Sequence, residues 1–85
     1  MNIQRLKDHK YSKCHVEIDG NKTTFISYNT AVIFMTIKNG IRTMECTGTY
    51  SQTTRKQIGY FLKQFAPDLN YHDMKNIVGQ GAVVM

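Results

Sequence analysis

Cysteine is scarce in this 85-residue chain, and so is negative charge. The two cysteines, Cys14 and Cys46, form no Cys-x-x-Cys pair. They give no metal signature, and the expectation is two reduced, buried thiols of a cytoplasmic protein. A disulfide would need both side chains on one face at bonding distance. The six acidic residues, Asp8, Glu17, Asp19, Glu45, Asp68 and Asp73, are dispersed. No pair has the spacing of a glycosidase or a metal-dependent nuclease site. No apolar run approaches membrane-spanning length, since the longest, Ala31-Val32-Ile33-Phe34-Met35, is strand-sized. Residues 1–13 hold no apolar segment of the kind a secretory signal needs. Internal repeats and low-complexity segments are also missing.

What remains is a basic chain, with eleven Lys and Arg and a formal net charge of +5. That balance favours acidic partners, nucleic acid first, and says nothing of fold. The length fits one domain over residues 1–85, with roughly 60–65% of the unfolded surface buried on folding. A hydrophobic content of 41% is enough for one thin core. The ordered core is expected over about residues 13–77, between a loose N-terminal arm and a tail.

Residues 1–12 carry few apolar groups, and Ile3 and Leu6 have the spacing of a short helical turn. From residue 13 the pattern alternates. Cys14, Val16 and Ile18 face one way and His15 and Glu17 the other, which marks a half-buried strand. A turn at Gly20-Asn21 would set Val16 opposite Phe25 and Cys14 opposite Ser27. Asn29-Thr30 interrupts the β pattern without Gly or Pro and reads as a bend or bulge. Residues 31–37 form the central strand. Asn39-Gly40 between two β-prone runs fits a type I′ hairpin, because both central positions need positive φ. Its register would place Ile37, Met35 and Ile33 beside Arg42, Met44 and Cys46, making the greasy face that a helix should cover. The other face would hold Phe34 and Val32, near Glu45 and Thr47.

The helix is expected from Gln52 to Phe65, capped by Ser51 and stopped before Pro67. Ile58, Phe61, Leu62 and Phe65 make its apolar stripe. Gly59 interrupts it at a cost of roughly 1 kcal/mol relative to Ala, and close approach to a strand would account for it. A short second helix would start after Asn70. The tail, residues 79–85, is either loose or an edge strand.

Tyr50-Ser51-Gln52-Thr53-Thr54-Arg55-Lys56-Gln57 is the most informative stretch. A helix start has unpaired N–H groups and partial positive charge, so cations there do not help the helix and point to an anion. Tyr50, Ser51, Thr53, Thr54, Arg55 and Lys56, with Arg42 from the hairpin, are the candidate phosphate contacts. Plain capping with a solvated face is the competing reading. The Gly-rich loop of a nucleotide-hydrolysing P-loop is missing. A second basic group, Arg5, Lys7, His9, Lys10 and Lys13 around Tyr11, could grip a nucleic-acid strand or be a solvated arm. The Tyr residues 28, 50, 60 and 71 could build a recognition surface or pack at the core's rim. His9, His15 and His72 are scattered, and no nucleophile has an oriented base. Catalytic residues, metal and cofactor are therefore expected to be none, and an enzyme is not expected.

Ile26-Ser27-Tyr28-Asn29-Thr30, the hairpin, and Tyr50-Ser51-Gln52-Thr53-Thr54 resemble a group of short proteins of bacteriophages and mobile elements with no assigned activity. The shared pattern is Ser-Tyr-Asn-Thr, two strands, then Tyr-Ser-x-Thr-Thr and a basic helix start, over roughly residues 24–65. It implies phage origin and a hairpin-plus-helix core, and supplies no catalytic residue. In that group a His often stands where this chain has Gln57, so a role resting on imidazole there would not transfer.

The fold class expected is α+β: a three- to four-stranded antiparallel sheet, one main amphipathic helix packed on one face, and a short C-terminal helix. The function expected is a small non-catalytic phage-type accessory protein in the host cytoplasm. It would bind nucleic acid, or a nucleic-acid-handling complex, through its basic surface. The alternative is a protein-directed inhibitor of a bacterial defence system, similar to an anti-CRISPR protein. No membrane partner is expected, and a free edge strand leaves a homodimer open.

Overall fold

The computed structural model describes residues 2–4, 13–48 and 51–85. It is α+β, with strands β1 (Asn2–Gln4), β2 (Cys14–Asp19), β3 (Lys22–Ser27), β4 (Thr30–Lys38) and β5 (Ile41–Cys46). Helices α1 (Gln52–Phe65) and α2 (Tyr71–Ile77) follow, then β6 (Val83–Val84). The strands form one antiparallel sheet in the order β1-β2-β3-β4-β5-β6, so every sequence neighbour is a spatial neighbour.

The sheet is larger than the three or four strands expected. The additions are its short edges. Residues 2–4 pair with β2 where a helical turn was expected, because the uncovered edge of β2 offers ladder hydrogen bonds that an isolated turn lacks. The tail adds an edge strand, Val84 pairing with Thr43 and Val83 with Met44.

Turn chemistry explains the long strands. Gly20 has φ of 61°, and the β2–β3 register sets Val16 against Phe25 and Cys14 against Ser27, as expected. Asn39 and Gly40 both have positive φ, and Ile33, Met35 and Ile37 pair with Cys46, Met44 and Arg42. The third turn is Tyr28-Asn29, one residue earlier than the bend or bulge expected at Asn29-Thr30. Both residues have positive φ, 50° and 69°, and Ser27 pairs directly with Thr30. A bulky side chain in this region is uncommon, which is why the sequence does not announce the turn.

One expectation fails at Val32, placed on the mixed face with Phe34. Phe25 pairs with Ile33 while Ile26 pairs with Ala31, so Val32 is an extra residue in β4. The bulge breaks strict alternation, and Val32 and Ile33 are both fully buried in the core cluster.

Both helices lie on one face of the sheet. Cys14, Val16, Phe25, Ile33, Met35, Met44 and Cys46 meet Ile58, Phe61, Leu62, Met74 and Ile77 in a single apolar cluster. The Phe61 ring stacks on Phe25 and on Phe65, with centroids 5.1 Å apart in each pair. Cys14 and Cys46 are buried thiols outside any disulfide, on strands separated by two others. At about 4.8 Å per strand they are far beyond disulfide reach. No helix among the described residues is long and apolar enough to cross a membrane.

Gly59 is exposed, and a Cβ added there would meet nothing within 4 Å. The strand approach expected to explain it does not exist. Gly59→Ala should therefore stabilise the protein by about 0.5–1 kcal/mol, through helix propensity and a less flexible unfolded chain. Urea denaturation would show the midpoint rise; an unchanged or lower midpoint contradicts this placement.

Candidate functional site

Helix α1 begins as the sequence indicates. Ser51 is the N-cap, with its Oγ accepting from the Thr54 N–H at 3.2 Å, and the first turn contains no acidic residue. The apolar stripe sets the rotation of the helix. At 100° per residue, Thr54 and Gln57 share the face of Ile58 and Phe61, while Gln52, Arg55 and Lys56 turn away from it.

The junction therefore divides into two halves. Ser27, Thr54 and Gln57 are buried. The Ser27 hydroxyl donates to Gln57 Oε1 at 2.5 Å. With that proton committed, the 3.3 Å contact between Ser27 and Thr54 runs from Thr54 Oγ1 to Ser27 Oγ. Ser51 Oγ in turn donates to Thr54 Oγ1 at 3.2 Å. A one-way chain leads from Ser51 through Thr54 and Ser27 to Gln57. Its hydroxyl protons point inward, so Ser51 and Thr54 have none left for a phosphate. The chain joins Ser27-Tyr28-Asn29-Thr30 to Ser51-Gln52-Thr53-Thr54 beside a small pocket of about 180 Å³. Gln57 Nε2 is buried, with no hydrogen-bond partner among the described residues.

The outer half carries the charge. Gln52, Arg55, Lys56 and Tyr71 line a shallow, open depression of about 300 Å³. The Arg55 guanidinium lies over the Tyr71 ring, 5.9 Å from its centroid. Neither Arg55 nor Lys56 has an ion-pair partner among the described residues, where the pairs are His15–Glu17 and Arg42–Asp68. Thr54 and Arg55 donate to Ser51, and the Gln52 and Thr53 N–H groups at the helix start have no partner among the described residues.

Arg42 is not brought to this place. Alternation puts it on the helix side of β5, where it forms a fork with Asp68 at 2.9 and 2.6 Å. Its Nε also donates to the Met85 carbonyl at 2.9 Å. The fork with Asp68 holds the Asp68 carboxyl below the usual carboxylate range and raises the Arg42 pKa further. Arg42 is a clamp joining β5, the α1–α2 loop and the tail. Tyr50 lies outside the described residues, as do Arg5, Lys7, His9, Lys10 and Tyr11 of the second basic group. Sequence reasoning missed Gln52 as a wall of the depression and Tyr71 as the ring under Arg55. The Arg–Tyr pair spans sixteen positions and two helices, so no local pattern announces it.

No cluster of three or more His, Cys, Asp or Glu side chains among the described residues could hold a metal ion. The fold and its divided helix start define a small α+β domain with a basic outer face. The chain belongs to DUF8033, a family of unknown function whose model matches residues 1–78. No curated protein and no solved structure matches it.

Two outcomes follow from this geometry. Ser27→Ala should cost about 1–3 kcal/mol, because it leaves both ends of the buried Gln57 amide unpaired. In a Gln57→Leu background the same change should cost much less, giving a coupling of about 0.5–3 kcal/mol in urea denaturation. Additive effects would remove the chain. Asp68 has a lowered folded-state pKa, so its contribution to stability is present above its unfolded pKa and is lost as pH falls through the lower folded value. Arg42→Gln should raise the Asp68 pKa followed by NMR titration, and an unmoved titration would show that the fork does not form in solution.

Proposed function

We propose that this protein is a small non-catalytic accessory protein, of the kind phages carry, that binds nucleic acid through the outer half of the α1 start. The observation that carries this is the pair Arg55 and Lys56. Both cations sit in the open depression without a carboxylate among the described residues, on a first turn that has no acid of its own. A helix disfavours cations there, and a phosphate would offset that penalty. The contact set is then Gln52, Thr53, Arg55, Lys56 and Tyr71, with Ser51 and Thr54 as its support. Arg42 is left out because Asp68 holds it. The place of action is the host cytoplasm.

A second reading makes the partner a host complex that handles nucleic acid, with the protein as its inhibitor. Ile37 and Ile41 favour it. They are 48% and 55% exposed and flank the Lys38-Asn39-Gly40 tip, an apolar pair that suits a protein surface better than a phosphate backbone. Capture of a partner from host lysate that survives nuclease treatment would support this reading.

For the first reading, binding to a mixed-sequence oligonucleotide should weaken as salt rises. Each phosphate contact contributes about 0.7–0.9 to the slope of log K against log salt. The Arg55→Ala, Lys56→Ala double variant should flatten that slope by roughly 1.4–1.8. Arg42→Ala, in contrast, should leave it unchanged. Absent or salt-independent binding would end the proposal.

A further inference from the structure

We infer that the face around Arg55 and Tyr71 takes single-stranded nucleic acid, with an unpaired base stacked on the Arg–Tyr pair; this rests on the nucleic-acid reading above. Charge alone predicts the opposite preference. Duplex DNA carries one negative charge per about 1.7 Å of axis, so a purely electrostatic face would hold duplex more tightly than a single strand. This face has more than charge. The Arg55 guanidinium lies over the Tyr71 ring. That ring is partly buried against the apolar cluster, and it opens a helix whose start is held by the Asn70–Asp73 capping box. The platform is therefore anchored from behind. Arg55 itself is exposed, so a flat group can reach its guanidinium from the solvent side. Bases stack on guanidinium planes and aromatic rings alike, whatever their sequence.

In a duplex each base face is covered by its neighbours, so only a single strand, an end or an extruded base can use such a platform. The depression suits one nucleotide. Its volume is about 300 Å³, Lys56 lies on its wall for the phosphate, and the Gln52 amide adds both a donor and an acceptor for a base edge. Arg55 and Lys56 together allow about two phosphate contacts, giving a single-strand salt slope near −1.4.

The test uses the full chain and one labelled mixed-sequence oligonucleotide, as single strand and as duplex, made in DNA and in RNA. Fluorescence anisotropy at low salt should show the single strand bound about tenfold more tightly. Tyr71→Leu should remove that preference, whereas Tyr71→Phe keeps it. Because Tyr71 is partly buried, Arg55→Lys gives an independent reading. It keeps the charge and loses the plane, so it too should erase the preference. Equal or tighter duplex binding, or a preference that survives Arg55→Lys, would overturn the inference and leave the proposed function standing. No binding to either form would remove both.

Discussion

The stacking of α1 on the sheet is the contact on which the site depends. Phe61 lies against Phe25, and Ile58 and Leu62 are buried beside it in the same cluster. A helix has one rotational degree of freedom about its axis, and burying this stripe fixes it. Everything at the helix start then follows from angle. Thr54 and Gln57 fall one turn before Ile58 and Phe61, so they must enter the core. Arg55 and Lys56 must leave it. No separate device is needed to present the cations. Removing the aromatic stack would free the helix to roll, and the same side chains would no longer define an inside and an outside.

The sheet supplies the other half of that constraint. Three two-residue turns join β2 to β5, and each depends on residues that accept positive φ. The Tyr28-Asn29 turn matters most for the site, because it ends β3 at Ser27, the residue that meets Thr54 and Gln57. Tyr28 adopts φ of 50° at a cost that Asn or Gly would not incur. The bulge at Val32, next to that turn, brings an extra apolar side chain into the core beneath the helix start. Strained turn, bulge and hydroxyl chain occupy one corner of the molecule.

Much of this was legible in the sequence, and the exceptions share a cause. The Asn39-Gly40 turn, the β2–β3 and β4–β5 registers, the limits and cap of α1, and the start and cap of α2 follow from local chemistry, and local chemistry sufficed. Val32 did not follow, because a bulge is a property of two strands and alternation is a property of one. Tyr28-Asn29 did not, because its turn is imposed by the pairing of β3 with β4 against the preference of Tyr. Arg42 was grouped with the phosphate contacts because its partner, Asp68, lies twenty-six residues away in a loop. The same distance problem hid the Arg55–Tyr71 pair. The start of α1 was readable as a place, but the division of its residues into buried and exposed halves required the helix to be seated.

That division bears on how the shared pattern should be weighed. Ser27, Ser51 and Thr54 are the hydroxyl positions through which the two segments of the pattern meet, and their protons are turned toward Gln57. They fasten the start of α1 to the end of β3. A family could keep them for that reason alone, whatever its members bind, because loosening the fastening would move every outward side chain on the first two turns. The outward positions are different ones, Arg55, Lys56 and Tyr71, which the fastening aims but does not choose. Two proteins could share the Ser-Tyr-Asn-Thr and Tyr-Ser-x-Thr-Thr segments, present the same scaffold, and still recognise different ligands. A change of charge at residue 55 or 56 leaves the buried chain intact, whereas a change at residue 27 disturbs both halves.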